Sequence, residues 1–338
     1  MKISAVVIMA GLVGFVLTAV SGFLMIPWLR KLNYGRMTHD TVSKSVPTMG
    51  GLMTVLGVVV SVIVTAVTDK LSGGDISASG SLIPSEQYTK LWSGIITALC
   101  FGFIGFVDDW IRFVMHQNLG LTVRQKSTAQ VLAALMYMVS MSLSMGGSPY
   151  MFIPFVGMLH MGIFYWICGI AVVYATVSAA EFTDGIDGLS ALSTLTSAVT
   201  LGVIAAMKGF YGFSMVACAL VGSCIGFLLW NRNPSKVFPG NTGAVFSGGM
   251  LVALAFGINC PLILIPACFV YVVEGISYVL QVVCYRNSGK KILKKAPLHR
   301  HLEMCGWSRN KIVFIFTIIN VFGGVTAVAL MYFGGYAG

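Results

Sequence analysis

The sequence predicts an all-α, polytopic integral membrane protein with about ten transmembrane helices. Hydrophobic residues make up 57% of the 338 residues and charged residues only 9%, and the mean hydropathy is +0.88. An ordinary soluble domain has roughly a quarter charged residues. Several stretches without Asp, Glu, Lys or Arg approach or exceed the roughly 20 residues that a helix needs to cross an apolar core of about 30 Å. Together these observations indicate a membrane protein built from helices.

Uncharged stretches predict where each span lies. Residues 127–180 are long enough for two helices, divided at Met145–Tyr150 because Gly and Pro interrupt helices. Residues 237–285 hold one charge, Glu274, and divide near Ile258–Pro261. The remaining stretches predict one helix each: 3–29, 45–68, 91–107, 188–207, 209–231 and 312–338. We therefore expect ten helices in a single transmembrane domain, residues 1–338.

Lysines and arginines divide unequally between the two sides of this predicted topology. Of the 21 such residues, Lys2, Lys70, Lys90 and Lys208 fall on one side and the other 17 on the opposite side. Because loops rich in Lys and Arg stay in the cytoplasm, the basic side is expected to be cytoplasmic and both termini extracytoplasmic. The excess positive charge suits lipid headgroups and also an anionic, phosphate-rich substrate.

Two groups of acidic residues lie on the same basic side. Asp108 and Asp109 end the third span; either they are a solvated helix end, or they form a Mg²⁺ site with substrate phosphates. Glu181, Asp184 and Asp187 lie before the sixth span and would share one face if helical. One acid would be enough to cap the start of a helix. Three acids suggest a site that binds a metal or the donors of a ligand.

Two further loops carry polar residues suited to phosphate or base recognition. Asn231–Gly249 is rich in amides, Gly and Pro, and backbone N–H groups of such turns bind phosphate. Its Phe238 would either stack on a base or lie at the membrane interface. In Lys290–Trp307, His299 and His301 flank Arg300, an arrangement that suits phosphate contacts or anchoring at the interface.

Six segments taken together resemble the MraY family of bacterial phospho-MurNAc-pentapeptide transferases, within the polyprenyl-phosphate N-acetylhexosamine-1-phosphate transferase superfamily. They occur in the family's order and include motifs from every loop on the basic side. The segments are PTMGG, GFVDDW, GLTVRQK, FTDGIDGLS, VFPGNTG and PLHRHLEMCGW.

The resemblance implies transfer of phospho-MurNAc-pentapeptide from UDP-MurNAc-pentapeptide to undecaprenyl phosphate, with Mg²⁺ as cofactor, giving lipid I and UMP. It implies a multi-pass protein of the bacterial inner membrane, surrounded by membrane lipids, with an active site that faces the cytoplasm. It also implies a homodimer, and no nucleic acid is expected as a partner. Phosphoryl transfer of this kind depends on alignment and charge neutralisation.

Residue roles follow from the resemblance, position by position. The implied catalytic residues are Asp108, Asp109, Lys126, His299 and His301. The implied substrate-binding residues are Lys44, Thr48, Glu181, Asp184, Asp187, Asn231, Phe238, Gly240 and Arg300. Asn241 and Asp108 are the implied metal ligands.

The chain departs from the family pattern at four positions. Asn241 stands where the family has a Mg²⁺-binding aspartate, and Glu181 stands where it has an asparagine. Arg300 replaces the middle residue of a three-histidine motif, and Lys44 lies one residue closer to Pro47 than the usual lysine. These departures bear on metal affinity and turnover and hardly on the fold.

Three alternative functions remain open at this stage. A sister transferase would use another UDP-sugar, such as UDP-GlcNAc. A lipid transporter would use intramembrane acids such as Glu274, although transporter sites usually lie near the bilayer midplane. A non-enzymatic protein that binds nucleotide-sugars would not need a full metal site. Asn241, in place of a metal-binding aspartate, is compatible with this alternative.

Overall fold

The computed structural model describes residues 3–32, 46–78, 84–113, 115, 120–147 and 149–335. Ten helices in these ranges are long and apolar enough to cross a membrane, which confirms the predicted fold class. They are α1 (Ile3–Lys31), α2 (Gly51–Leu71), α3 (Pro84–Phe113), α4 (Val123–Ser144), α5 (Ile163–Thr183), α6 (Leu189–Met207), α7 (Tyr211–Asn231), α8 (Gly240–Gly257), α10 (Phe269–Ser288) and α12 (Arg309–Phe333). Two shorter helices are α9 (Leu264–Ala267) and α11 (Leu298–Met304).

Both predicted helix breaks are present, and one of them contains a feature that the sequence did not predict. Between α4 and α5, β1 (Tyr150–Ile153) and β2 (Gly157–His160) form an antiparallel hairpin. Tyr150 pairs with His160, and Ile153 pairs with Gly157. The turn between the strands requires positive φ angles at Phe155 (67°) and Gly157 (96°). The hairpin is the only sheet in the described residues.

Helix α8 is the most enclosed span of the bundle, with 94% of its residues buried. It packs against α2, α3 and α5, and small residues allow this close approach. A Cβ atom on Gly51 would overlap the backbone of Gly243, so α2 and α8 meet at a pair of glycines. Similarly, a Cβ on Gly249 would lie 2.9 Å from the Cα of Ala98. The N-terminus of α8 is therefore held firmly among its neighbours.

Asn320 of α12 ties together three helices inside the bundle. Its Nδ2 donates hydrogen bonds to the backbone oxygen of Ser193 (3.2 Å) and to the hydroxyls of Thr196 (2.6 Å) and Ser197 (3.0 Å) on α6. Its Oδ1 accepts from the backbone N–H of Val270 (3.0 Å), at the first turn of α10. The interruption between α9 and α10 leaves N–H groups without helical partners, and Asn320 satisfies one of them.

Successive spans alternate in direction, so their ends form two groups. At one end of the bundle, here called the site end, α1, α3, α5, α7 and α10 finish and α2, α4, α6, α8 and α12 begin. The described residues among the implied site residues all belong to these ends or to the loops and short helix α11 that join them. The hairpin and the break between α8 and α10 lie at the opposite end.

Candidate active site

The last turns of α3 place two buried carboxylates at the site end. Asp108 is 1% exposed and Asp109 is 2% exposed, so neither is a solvated helix end. Oδ1 of Asp108 accepts a hydrogen bond from the backbone N–H of Leu121 (2.7 Å). Gly120 lies so close to this carboxylate that a Cβ atom there would overlap it. The loop before α4 is thus shaped around Asp108.

Asp109 has a different set of partners from its neighbour. Its Oδ2 accepts hydrogen bonds from the backbone N–H (2.9 Å) and the hydroxyl (2.8 Å) of Thr242, and its Oδ1 accepts from the backbone N–H of Asn241 (3.2 Å). These N–H groups belong to the first turn of α8, where a negative charge is stabilised by the helix dipole. Gly240 has a φ of 68°, and a Cβ atom there would lie 2.7 Å from Oδ2 of Asp109. Asp109 therefore anchors the start of α8.

Lys126 lies between two carboxylates from different helices. Its Nζ is 3.1 Å from Oδ2 of Asp108 and 2.6 Å from Oε1 of Glu181. The side-chain amide of Asn241 also donates to Oδ2 of Asp108. Helix α4 begins with a capping box formed by Thr122 and Gln125, which sets the position of Lys126 in the first turn. The structure thus brings together four residues that the sequence analysis assigned to the site.

The three acids before α6 do not share one helical face, which corrects the sequence-based expectation. Helix α5 continues to Thr183 and ends there, so Glu181 is in the last turn of α5 and does not cap α6. Asp184 follows at the C-cap, and Asp187 accepts a hydrogen bond from the hydroxyl of Ser235 (3.0 Å). The physical reason is a turn containing two glycines, of which Gly188 has a φ of 80°.

Asn231 connects two loops of the site through both ends of its amide. Its Oδ1 accepts from the backbone N–H of Gly188 (2.9 Å), and its Nδ2 donates to the backbone oxygen of Val237 (2.8 Å). The residue is 1% exposed. Phe238 is also buried, and its backbone bonds to Pro47 and Gly50 join this loop to the start of α2. The implied roles of Asn231 and Phe238 in substrate binding stay predictions.

Thr48 lies beside this junction and has an unusual environment. The residue is 3% exposed, and its hydroxyl has no hydrogen-bond partner among the described residues. Leaving a buried hydroxyl unpaired costs free energy, so such a group is often reserved for a ligand. Lys44, the other implied substrate-binding residue of this loop, lies outside the described residues.

His299 lies in the first turn of α11 and is held by Glu274 of α10. One carboxylate oxygen of Glu274 accepts from the backbone N–H of His299 (3.1 Å), and the other lies 2.9 Å from Nδ1 of its ring. Both residues are almost completely buried. By residue type and position alone, Glu274 suits an intramembrane acid of a transporter. Its partnership with His299 lacks a local sequence signal because the two residues lie in separate elements.

Arg300 and His301 are more accessible than His299 and have partners within their own loop. Arg300 donates to Glu303 (3.1 Å), and Nδ1 of His301 accepts from the backbone N–H of Lys294 (3.1 Å). Partial burial raises the pKa of Glu303, but the hydrogen bond from Arg309 and the charges of Arg300 and Arg309 outweigh it. The net effect holds the pKa of Glu303 below its ordinary value. Ion pairs of Glu303 with Arg300 and Arg309 therefore hold this loop together.

The donor set around Lys126 fits the Mg²⁺ that the family resemblance implies. In the described part of the chain, no three His, Cys, Asp or Glu side chains form a ready-made metal cluster. Mg²⁺ sites commonly use only one or two carboxylates, completed by substrate phosphates and water. Carboxylate oxygens of Asp108 and Glu181 both lie within 3.1 Å of one ammonium nitrogen, so this position already accommodates a cation. Asn241 adjoins this position through its Nδ2, and the same amide carries an oxygen of the hard type that Mg²⁺ prefers.

An apolar groove runs along the bundle beside this cluster. It has a volume of about 600 Å³ and is lined by α5, by the residues around α9 and by α10. Phe182, which follows Glu181, lines the groove and stacks on Tyr278 with ring centroids 4.1 Å apart. The groove therefore reaches the last turn of α5, which also carries Glu181 of the charged cluster. Such a combination suits a molecule with an anionic head and a long apolar tail.

Comparison with known proteins gives consistent matches. Residues 91–259 match the family described as glycosyl transferase family 4. A phospho-N-acetylmuramoyl-pentapeptide-transferase from Desulfitobacterium hafniense is 34% identical over a 342-residue alignment that covers 95% of this chain and 96% of the relative. A protein of the same name from Halalkalibacterium halodurans is 31% identical, with 96% of this chain and 97% of the relative aligned.

A third relative of this name, from Desulforamulus reducens, is 31% identical over 94% of this chain and 96% of its own length. With at least 94% of the chain aligned in each case, these matches run through both halves of the bundle. At this identity and coverage, the chain belongs to the phospho-N-acetylmuramoyl-pentapeptide-transferase family.

Proposed function

We propose that this chain transfers phospho-MurNAc-pentapeptide from UDP-MurNAc-pentapeptide to undecaprenyl phosphate, giving lipid I and UMP for peptidoglycan synthesis. The observation that carries the proposal is the cluster of Asp108, Lys126 and Glu181 next to an apolar groove. A reaction between a water-soluble nucleotide and a membrane lipid needs such a junction. The names of the relatives support the choice of substrates.

In the proposed reaction, a phosphate oxygen of undecaprenyl phosphate attacks the sugar-side phosphorus of the UDP-sugar. A new P–O bond forms, the bond to the bridging oxygen of the nucleotide breaks, and UMP leaves with that oxygen. Both substrates are anionic, so the protein must offset repulsion as they approach. Lys126, which Asp108 and Glu181 hold in the cluster, is the cation proposed to do so.

Asp108, Glu181 and Asn241 are the residues proposed to hold Mg²⁺. The bound ion would neutralise charge on the transferred phosphoryl group. Asp108 also orients Lys126, and the hydrogen bond from Leu121 restrains that carboxylate. Asp109 acts on the site indirectly by keeping the first turn of α8, which carries Asn241, next to Asp108.

The remaining residues are proposed to line the nucleotide and sugar site, with His299 and His301 in the catalytic role that the family resemblance implies. Asp187 and Asn231 lie on the two sides of the junction between the α5–α6 turn and the α7–α8 loop. Asp184 belongs to the α5–α6 turn. The guanidinium of Arg300 lies close to Gly185 of the same turn. Thr48 supplies an unpaired hydroxyl, and His299 an imidazole nitrogen. Lys44, Phe238, Gly240 and His301 complete the proposed set.

We further propose that the site end faces the cytoplasm of a bacterial inner membrane and that the protein forms a homodimer. The orientation is supported by the excess of Lys and Arg in the loops at this end. The homodimer is proposed from family resemblance, and sedimentation of the detergent-solubilised protein tests it. A monomer at working concentrations would remove this part of the proposal.

A UMP-release assay tests the function. Purified protein is mixed with undecaprenyl phosphate, Mg²⁺ and either UDP-MurNAc-pentapeptide or UDP-GlcNAc. We expect UMP from the first substrate only. Release from UDP-GlcNAc alone would identify a sister transferase, and nucleotide binding without UMP release would identify a non-enzymatic binding protein.

A further inference from the structure

Both carboxylate oxygens of Glu274 contact the same residue, His299. Oε1 accepts the backbone N–H of His299 (3.1 Å), and Oε2 lies 2.9 Å from Nδ1 of the same residue. Glu274 is fully buried within α10, and His299 is 1% exposed. A single oxygen would be enough to satisfy the N–H at the start of α11. The second contact, to the ring, therefore needs a separate explanation.

The second contact favours one tautomer of the His299 ring. A carboxylate only accepts hydrogen bonds, so pairing with an ionised Glu274 places the proton on Nδ1. A carboxylate placed in this way fixes the orientation of an imidazole and makes its other nitrogen more basic. That other nitrogen, Nε2 of His299, is buried and has no partner among the described residues.

The free nitrogen points into the turn between α5 and α6. A Cβ atom on Gly185 would overlap Nε2 of His299, and it would lie 3.3 Å from Nε of Arg300. The turn also carries Asp184 and Asp187, which are proposed to bind the nucleotide-sugar. Because Gly185 has no side chain, Nε2 of His299 packs directly against this turn. His299 therefore faces the segment that is proposed to bind the nucleotide-sugar.

The position of Glu274 is itself held by the surrounding helices. One turn earlier on α10, the backbone N–H of Val270 donates to Asn320, and the hydroxyl of Tyr271 is hydrogen-bonded to Thr194 (2.6 Å). On the other side, the backbone N–H of Leu298 donates to Ser277 (3.0 Å), which gives α11 an attachment to α10 that does not involve Glu274. Removing the Glu274 carboxylate therefore leaves α11 attached.

We propose that Glu274 is a positioning residue for phosphoryl transfer. It keeps the proton of His299 on Nδ1 and directs Nε2 toward the phosphates of the nucleotide substrate. The catalytic role of Glu274 rests on the proposed function. The protonation site of His299 can be measured whether or not the protein turns over substrate. Glu274 acts through His299 and does not itself contact substrate.

Nitrogen-15 NMR of protein labelled at histidine tests the proton position directly. The signal of His299 is assigned by its loss in His299→Gln. We expect a proton on Nδ1 in the unmodified protein. In Glu274→Gln, the carboxamide NH₂ donates to Nδ1, so the proton moves to Nε2. Unprotonated Nδ1 in the unmodified protein would overturn the proposal, whatever the activity.

Steady-state kinetics test whether the contact between Glu274 and His299 contributes to catalysis. We expect Glu274→Gln to lower kcat by about 10- to 100-fold with KM changed less than about threefold. In the His299→Gln background, Glu274→Gln should cause no further loss, because the two residues act as one unit. Losses that add fully would overturn the proposal. Ser277→Ala, which removes the other attachment of α11, is the matched control and should keep near-normal kcat.

If the unmodified protein releases no UMP from any UDP-sugar, the proposed function fails and the NMR result still decides the Glu274–His299 relationship.

Discussion

The ammonium of Lys126 lies 2.6 Å from the carboxylate of Glu181 and 3.1 Å from that of Asp108. These carboxylates come from the ends of α5 and α3, so one cation joins three helices at the site end. Without it, two buried or half-buried negative charges would face each other, and one of them would take up a proton. The arrangement explains why so apolar a chain concentrates acids here.

Lys126→Met should lower kcat by about 100-fold or more, because it removes the charge that offsets repulsion between the anionic substrates. UMP release measures the effect, and thermal unfolding checks that the protein stays folded. Arg124→Met is the matched control, since Arg124 is an exposed cation on the same turn of α4. Equal losses in both variants would show that only the general positive charge matters.

Asp108 and Asp109 should give different results when each is replaced by Asn. Asp109→Asn weakens the three hydrogen bonds that hold the start of α8, so we expect a loss of stability of about 1–3 kcal/mol. Asp108→Asn should mainly lower turnover, since Lys126 keeps Glu181 as a partner. Thermal unfolding in detergent and UMP release, measured on both variants, separate the roles. The reverse pattern would contradict the structural assignment.

Asn241→Asp should lower the Mg²⁺ concentration needed for half-maximal activity. The change adds a negative charge next to Asp108, and attraction to a divalent ion grows with the charge of its ligands. Glu181→Asn in the unmodified background should abolish activity if Glu181 serves as a ligand. A Mg²⁺ titration of UMP release measures both effects. An unchanged Mg²⁺ dependence in Asn241→Asp would exclude position 241 as a ligand.

Asn320→Leu should destabilise the bundle by about 1–2 kcal/mol, because the N–H of Val270 and the hydroxyls on α6 lose their shared partner. Thermal unfolding measures the loss. Thr326→Val is the control, because Thr326 is exposed on the same helix and bonds only to its own backbone turn. Equal stability of the two variants would show that the Asn320 network contributes little.

Accessibility labelling of single cysteines tests the proposed orientation. In a variant without its own cysteines, Ser288→Cys lies at the exposed end of α10 and should react only with reagents that reach the cytoplasm. Ser79→Cys, in the loop between α2 and α3 and outside the described residues, should react from the other side. Reaction of both from one side would overturn the ten-span topology.

The spans and their breaks could be predicted because the signal is local. Runs without charges set the helices, and the Gly- and Pro-containing segments at Met145–Tyr150 and Ile258–Pro261 set two of the breaks. The hairpin at one of these breaks could not be predicted, since four-residue strands leave little pattern. The extent of α5 was also missed, because Glu181 resembles a capping acid when only the following helix is considered.

Pairings inside the site could not be read from the sequence alone. The ion pairs of Lys126 with Asp108 and Glu181, and the contact between Glu274 and His299, join residues from different helices. Their chemistry was evident from residue type, but the choice of partner depends on how α3, α4, α5 and α10 pack. Asn231 illustrates the same limit, because its amide connects two loops that sequence patterns treat separately.

The most direct test of the proposed function is identification of the lipid product by mass spectrometry. Purified protein is incubated with UDP-MurNAc-pentapeptide, undecaprenyl phosphate and Mg²⁺, alongside Lys126→Met. The proposal predicts undecaprenyl-diphospho-MurNAc-pentapeptide and an equal amount of UMP from the unmodified protein, with both strongly reduced in the variant. A folded, unmodified protein that binds the nucleotide but forms no such lipid across a range of Mg²⁺ concentrations would contradict it.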